Sequence, residues 1–140
     1  HEINNPAAYV MANLAMLRAR FDSFNEVQGA RLVSRTGNTP VNVPERTANL
    51  WTSYRFAPKW QAGVGLQYVG ARAANTANTL KFPSYTTVDA LLRYEFSRSP
   101  SLALSVSNLT DKDYAISGTN NTRWLLGAPR AVYLTARVKI

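Results

Sequence analysis

The sequence contains no cysteine and a single histidine, His1. Without cysteine there is neither a disulfide framework nor a thiolate metal site, and the redox compartment stays open. With one histidine at a terminus, no histidine-based triad or zinc site can be assembled. Long apolar runs are missing as well. The longest, "AAYVMANLAML" at residues 7–17, is broken by Asn13 and followed by Arg18 and Arg20, which excludes a transmembrane helix of about 20 apolar residues. A β-barrel is not excluded, because its strands need only about 9 to 11 residues, half of them polar. Acids are scarce: 8 Asp and Glu stand against 16 Lys and Arg, a net charge of +8 in 140 residues. That balance suits an anionic partner, either nucleic acid or an anionic lipid surface, without choosing between them. The length is enough for one domain. Because the chain opens at His1 with no initiator methionine and no charged-then-apolar leader, it is expected to be a piece of a longer protein.

What the sequence does contain is alternation. In "SLALSVS", residues 101–107, Leu102, Leu104 and Val106 alternate with Ala103, Ser105 and Ser107, the period of a strand with one apolar and one small, polar face. The same period runs through Thr47–Phe56, Trp60–Gly70, Tyr85–Phe96 and Arg130–Ile140. The first two of these are joined by Ala57, Pro58 and Lys59, a hairpin with a very short turn. In the third, Asp89, Arg93 and Glu95 share a face, which water tolerates and lipid does not. A sixth strand is expected at Tyr9–Phe21 from the alternation of Val10, Ala12, Leu14 and Met16; its alanines and methionines leave a helix as the alternative. The fold class is therefore all-β, an antiparallel up-and-down meander of about six strands. Its connections alternate strictly between long (22–46, 72–84, 109–129) and short (57–59, 97–101). In such a sheet alternate connections lie at opposite ends, so one end carries tight turns and the other extended loops, as in an outer-membrane barrel. Tyr54, Phe56 and Trp60 bracket one short turn, and Tyr94 and Phe96 precede the other. They form either an interfacial aromatic girdle at the tight-turn end or the cap of a hydrophobic core.

Four stretches carry a resemblance in their order and spacing: "GNTPVNVPERTANLWTSYRF", "GLQYVGARAANTANTLKFPSYTTVDALLRYEF", "LSVSNLTDKDYA" and "GAPRAVYLTARVKI". Together they cover most of Gly37–Ile140, and they resemble the C-terminal end of the barrel of TonB-dependent outer-membrane receptors, in particular ferric-siderophore receptors. The resemblance implies a 22-stranded transmembrane β-barrel closed by an N-terminal plug. Residues 1–140 would be about its last six strands, with the plug domain and earlier strands absent. It further implies active import of a ferric siderophore across the bacterial outer membrane, energised by TonB through the plug, with no enzymatic activity and no cofactor. The implied partners are the ferric siderophore, outer-membrane lipid and lipopolysaccharide, TonB, and the barrel-assembly machinery. Such barrels commonly end in an aromatic residue read by that machinery, whereas this sequence ends on Ile140.

The remaining signals concern loops and charges. Asn108, Asp111 and Asp113 are expected to accept local backbone hydrogen bonds and end the strand, with Tyr114 anchoring the loop base. Asp111 and Asp113 have the spacing that opens a calcium loop, but the glycine and distal glutamate such a loop needs are missing, so no metal site is expected. "NLT" and "NNT" match the glycosylation sequon, a chance match in a bacterial barrel. Arg55, Arg93, Arg137 and Lys139 fall on the polar strand face, Lys59 and Arg98 in the short turns, and Arg72, Arg123 and Arg130 in or beside the long loops. Loop arginines serve either as solvated or lipopolysaccharide-facing charges or as attractors of an anionic ferric chelate, with Trp124 as an apolar wall. The expected ligand contacts in the outer loops are Arg72, Asn78, Arg123 and Trp124; no catalytic residue is expected. Two other readings compete: a self-contained small outer-membrane barrel or porin-like protein, and a soluble basic β-module stacking single-stranded nucleic acid on its rings. The second needs rings and cations interleaved on one face. Here Tyr54, Phe56, Trp60, Tyr94 and Phe96 share the apolar face while the cations mostly occupy the other, so no nucleic-acid partner is expected.

Overall fold

Pairing segments in which every second residue is apolar gathers those residues on one side of a sheet, and the structure is built on that consequence. A computed structural model describes residues 7–96, 100–119 and 123–138. In chain order its strands are β1 (Ala8–Met16), β2 (Asn25–Gln28), β3 (Arg31–Ser34), β4 (Arg46–Ala57), β5 (Trp60–Val69), β6 (Arg72–Ala73), β7 (Lys81–Phe82), β8 (Tyr85–Glu95), β9 (Ser101–Ser107), β10 (Ala115–Thr119), β11 (Arg123–Leu126) and β12 (Ala131–Arg137). Six of them form one antiparallel sheet in the order β1-β4-β5-β8-β9-β12, the expected meander. Residues His1, Arg98, Lys139 and Ile140, the stretch 97–99 of the second short connection and the sequon at 120–122 lie outside the described residues.

The register keeps the two faces apart across the sheet. Tyr54 pairs with Ala62, Ala62 with Leu92, Leu92 with Leu104 and Leu104 with Leu134, one apolar row running from β4 to β12. A second row joins Ala12, Leu50, Leu66 and Val88. The intervening row on the opposite face joins Met11, Trp51, Gly65 and Asp89. There the Trp51 ring lies across β5 over Gly63 and Gly65, where a Cβ would come within 2.8 Å and 2.7 Å of ring atoms. The glycines are the bed for this indole. Nearer the tight turns, Arg55 on β4 reaches over β5 to Glu95 on β8, with Nη1 to Oε2 at 3.2 Å.

Nothing in the described chain covers the apolar face. Leu14, Leu134 and Val132 are 75%, 68% and 62% exposed, so the sheet is not one half of a closed two-layer core. The large side chain that is fully buried, Phe82, lies among the loops instead. Each uncovered Leu or Val forgoes about 1.5–3 kcal/mol of burial unless an apolar medium meets it. At the tight-turn end the rings join into a chain, Phe56 to Trp60 at 6.3 Å, Trp60 to Tyr94 at 4.7 Å and Tyr94 to Phe96 at 4.8 Å. These rings are also exposed at Phe56, Trp60 and Phe96, which makes them a surface band rather than the cap of a core.

Two expectations need correction. The first strand stops at Met16 rather than continuing to Phe21. Its last bond to β4's side is from Leu17 N to Glu45 O, and the next residue along that side is Pro44, which has no N–H to extend the ladder. Phe21 turns away instead to pack on Phe24 at 4.7 Å. The long connections are also more ordered than irregular loops: each carries a two-stranded ribbon, β2-β3, β6-β7 or β10-β11.

Candidate functional site

The three long connections lie at one end of the sheet, and their ribbons are tied together by side chains that imitate backbone. Asn42 adopts a left-handed backbone (φ 64°), a conformation asparagine tolerates better than most residues. Its side chain then meets the edge of β10 as another strand would, with Nδ2 donating to Gly118 O at 3.2 Å and Oδ1 accepting from Gly118 N at 3.3 Å. Asn78, also left-handed (φ 57°), does the same to Thr39: Oδ1 accepts from Thr39 N at 2.7 Å and Nδ2 donates to Thr39 O at 2.9 Å. Asn38 Nδ2 donates to Thr76 O at 2.7 Å. Thr76 Oγ1 in turn donates to Glu26 Oε2 at 2.7 Å, and Glu26 pairs with Arg35 at 3.0 Å. The hydrogen bond from Thr76, then that from Arg35, hold the Glu26 carboxyl below its ordinary pKa, so this link stays ionised at neutral pH.

Between the second and third connections sits a small core of Ala74, Phe82 and Ala115, with Leu80 packed against it. Phe82 and Trp124 meet in a T-shaped pair, with centroids 5.0 Å apart and planes at 80°. Gly118 closes the gap, since a Cβ there would fall 2.6 Å from the Phe82 ring. Arg72 enters the same core. Its Nη1 donates to Ile116 O at 2.7 Å and its Nη2 to Ala115 O, and its guanidinium lies 5.6 Å from the Phe82 centroid and 5.5 Å from that of Tyr85. Cation–π contact and two carbonyls replace much of the hydration the buried charge loses.

The base of the third connection is set where the sequence places it. Asn108 turns left-handed (φ 48°), and its side chain makes three hydrogen bonds: Oδ1 accepts from Lys112 N at 2.9 Å, while Nδ2 donates to Lys112 O and Ala128 O, each at 3.0 Å. Asp111 accepts from Arg130 N at 2.9 Å, closing the loop onto the start of β12; Asp113 is exposed. Tyr114 stacks on Tyr85 at 4.3 Å, and its carbonyl accepts from Gly127 N at 2.8 Å.

The four expected contact residues therefore fall in different settings. Arg72 is 5% exposed and committed to the loop core, and Asn78 is committed to Thr39. Arg123 and Trp124 stand exposed on β11 and border an open depression of about 380 Å³ with Asn42, Ser117, Gly118 and Leu125. That depression offers a guanidinium beside a large apolar ring, a setting for an anionic ligand with apolar parts. Among the described residues no three His, Cys, Asp or Glu side chains gather to hold a metal ion. Sequence reasoning passed over Phe82, Asn42 and Glu26. Phe82 carried a signal, as a lone ring in the polar stretch "NTLKFPS"; the other two become visible only once the loops are in contact.

Residues 6–109 match the family model described as TonB dependent receptor-like, beta-barrel. The chain is 40% identical over 108 residues to the ferrichrome outer membrane transporter/phage receptor of Escherichia coli (strain K12), a match covering 71% of this chain and 14% of that protein. It is 35% identical over 105 residues to the ferrioxamine receptor of Yersinia enterocolitica, covering 71% of this chain and 15% of that protein. Its fold superposes on the crystal structure of the siderophore receptor PiuA from Acinetobacter baumannii with a TM-score of 0.86 at 26% identity, over 98% of this chain and 20% of that one. The chain thus spans about a seventh of the length of the curated relatives it matches.

Proposed function

Since the chain belongs to the TonB-dependent receptor β-barrel family, we propose that it is the C-terminal part of an active transporter that imports a ferric siderophore across the bacterial outer membrane. In this reading the six-stranded sheet is barrel wall, with its apolar face to lipid and the face bearing Trp51, Arg55 and Glu95 to the lumen. Energy comes from the inner membrane through TonB, which acts on a plug elsewhere in the protein. The observation that carries the reading is an apolar sheet face left uncovered over its whole width while the buried core lies in the loops at one end. A transporter wall needs that arrangement; a soluble module would have to bury the same face.

Within the segment, Arg123 and Trp124 are the residues proposed to touch the chelate, and Arg72 and Asn78 position them by fixing the second connection against the third and first. The test is uptake of labelled ferric siderophores by cells carrying the full-length gene, its deletion, or Arg123→Ala with Trp124→Ala. Deletion should abolish uptake, and the double substitution should weaken apparent affinity by about tenfold or more, the scale of losing one cation and one buried ring. Unchanged uptake on deletion would overturn the transport reading. Unchanged affinity in the double variant, with uptake lost on deletion, would overturn the loop assignment alone.

A further inference from the structure

We infer that Asn42, on the first long connection, is a positioning residue of the proposed chelate site, holding a bulge in β10 that decides which residue faces Trp124. The inference rests on the reading of Arg123 and Trp124 as ligand contacts and adds what sets their place. In the β10-β11 ribbon Ala115 pairs with Leu126, but Ser117 pairs with Leu125 and Gly118 with Trp124, so β10 has one extra residue between Ala115 and Ser117. A bulge of this kind re-aims the side chains beyond it. Without it, regular pairing continued from Ala115 would set Ser117 opposite Trp124 and Gly118 opposite Arg123. The bulged register is the one that fits the loop core. Gly118 packs against the Phe82 ring, where a Cβ would come within 2.6 Å, so Ser117 in the same place would push Phe82 away from Trp124.

A two-stranded ribbon specifies its register weakly, and a bulge leaves backbone groups unpaired. Side chains from the other two connections take those groups up. Arg72 donates to Ala115 O and Ile116 O, on the near side of the bulge. Beyond it, Asn42 takes both peptide groups of Gly118. Because these groups point at Asn42, they point out of the ribbon; losing the bulge would turn them toward β11 and break both bonds. The bonds of Arg72 end at Ile116 and leave the phase of residues 117–119 open, so Asn42 is what fixes it. Asn42 is itself held, with its N–H donating to Ala73 O at 3.0 Å. One residue thus joins all three connections. It also borders the depression with Arg123 and Trp124, and with its amide committed to Gly118 it shapes that site rather than contacting ligand.

The test uses the full-length receptor labelled with 5-fluorotryptophan and inserted in lipid nanodiscs, the Trp124 fluorine resonance being assigned by its loss in Trp124→Phe. Wild type should give one Trp124 resonance. Asn42→Gly, which tolerates the left-handed backbone and removes both bonds, should give a second, and the ratio of second to first should rise by roughly ten- to a hundredfold, the scale of two hydrogen bonds. Asn38→Ala, which removes a bond of the same kind from the first connection to Thr76 O, should keep the single resonance. Asn42→Asp should split the resonance at neutral pH, where its carboxylate faces Gly118 O. Acid that protonates this carboxyl restores a donor and should return the single resonance, with wild type unchanged over the same range. A single resonance in Asn42→Gly, the same splitting in Asn38→Ala, or a splitting in Asn42→Asp that acid leaves in place would overturn the role of Asn42. None of these readouts needs transport. If they come out as expected while deletion of the gene leaves uptake unchanged, the transport reading falls and the bulge account stands; if they fail while uptake depends on the gene, the reverse holds.

Discussion

Full-length protein carrying Leu104→Arg should refold into a bilayer with a folded state about 2–4 kcal/mol less stable than wild type, whereas Ser105→Arg should cost much less. The two positions are adjacent in β9 and differ in what they face. Leu104 sits mid-strand in the continuous apolar row, paired with Leu92 and Leu134, and is 43% exposed with no protein above it. Ser105 pairs with Leu91 and Tyr133 on the face that also carries Asp89, Arg55 and Glu95, where water reaches a charge. A guanidinium at Leu104 must be held near the middle of the hydrocarbon, while one at Ser105 enters a wet lumen. Denaturant titration of both variants in lipid vesicles measures the difference. Equal penalties would contradict the face assignment.

Gly127→Ala should cost about 1–3 kcal/mol, the scale of forcing a methyl group into a filled site, and should loosen the third connection. The added Cβ would fall inside the Tyr114 ring. That ring has little freedom to yield, because it is stacked on Tyr85 at 4.3 Å and its own carbonyl is bound by Gly127 N. Gly127 does not itself adopt a left-handed backbone, so the clash alone accounts for the cost. Hydrogen exchange across residues 108–130 reports the loosening. Removing the ring with Tyr114→Ala should erase most of the extra penalty, giving a coupling of about 1–3 kcal/mol. Strictly additive penalties would show that the ring is not what excludes the methyl.

These two sites also mark how far the sequence could be read. Leu104 and Ser105 were assignable in advance because alternation is a local property: their faces follow from position alone, and the observed register keeps them. The same holds for the band at Phe56, Trp60 and Tyr94, whose placement follows from two short turns. Gly127 was not assignable. Its constraint comes from Tyr114, thirteen positions earlier, and depends on a ring orientation that no pattern encodes. Trp51 shows the intermediate case. Its parity was plain, and so was that of Gly63 and Gly65, but that one lies over the others needed the pairing of β4 with β5. The end of β1 was misplaced because its determinant, Pro44, lies on the partner side of the ladder. Arg72 resembled any loop cation in the sequence. Only the arrival of Phe82, Tyr85 and the carbonyls of β10 makes its burial tolerable.

The proposal that this sheet is a bilayer wall is tested most directly by spin labels placed singly at positions 101–107 and 131–137 of the full-length protein in lipid vesicles. Collision with oxygen, which concentrates in hydrocarbon, is compared with collision with a water-soluble nickel chelate. Positions 102, 104, 106, 132, 134 and 136 should favour oxygen, and the positions between them nickel, with the two strands alternating in the phase fixed by the pairing of Leu104 with Leu134. Uniform accessibility along either strand, or alternation in the opposite phase, would contradict it.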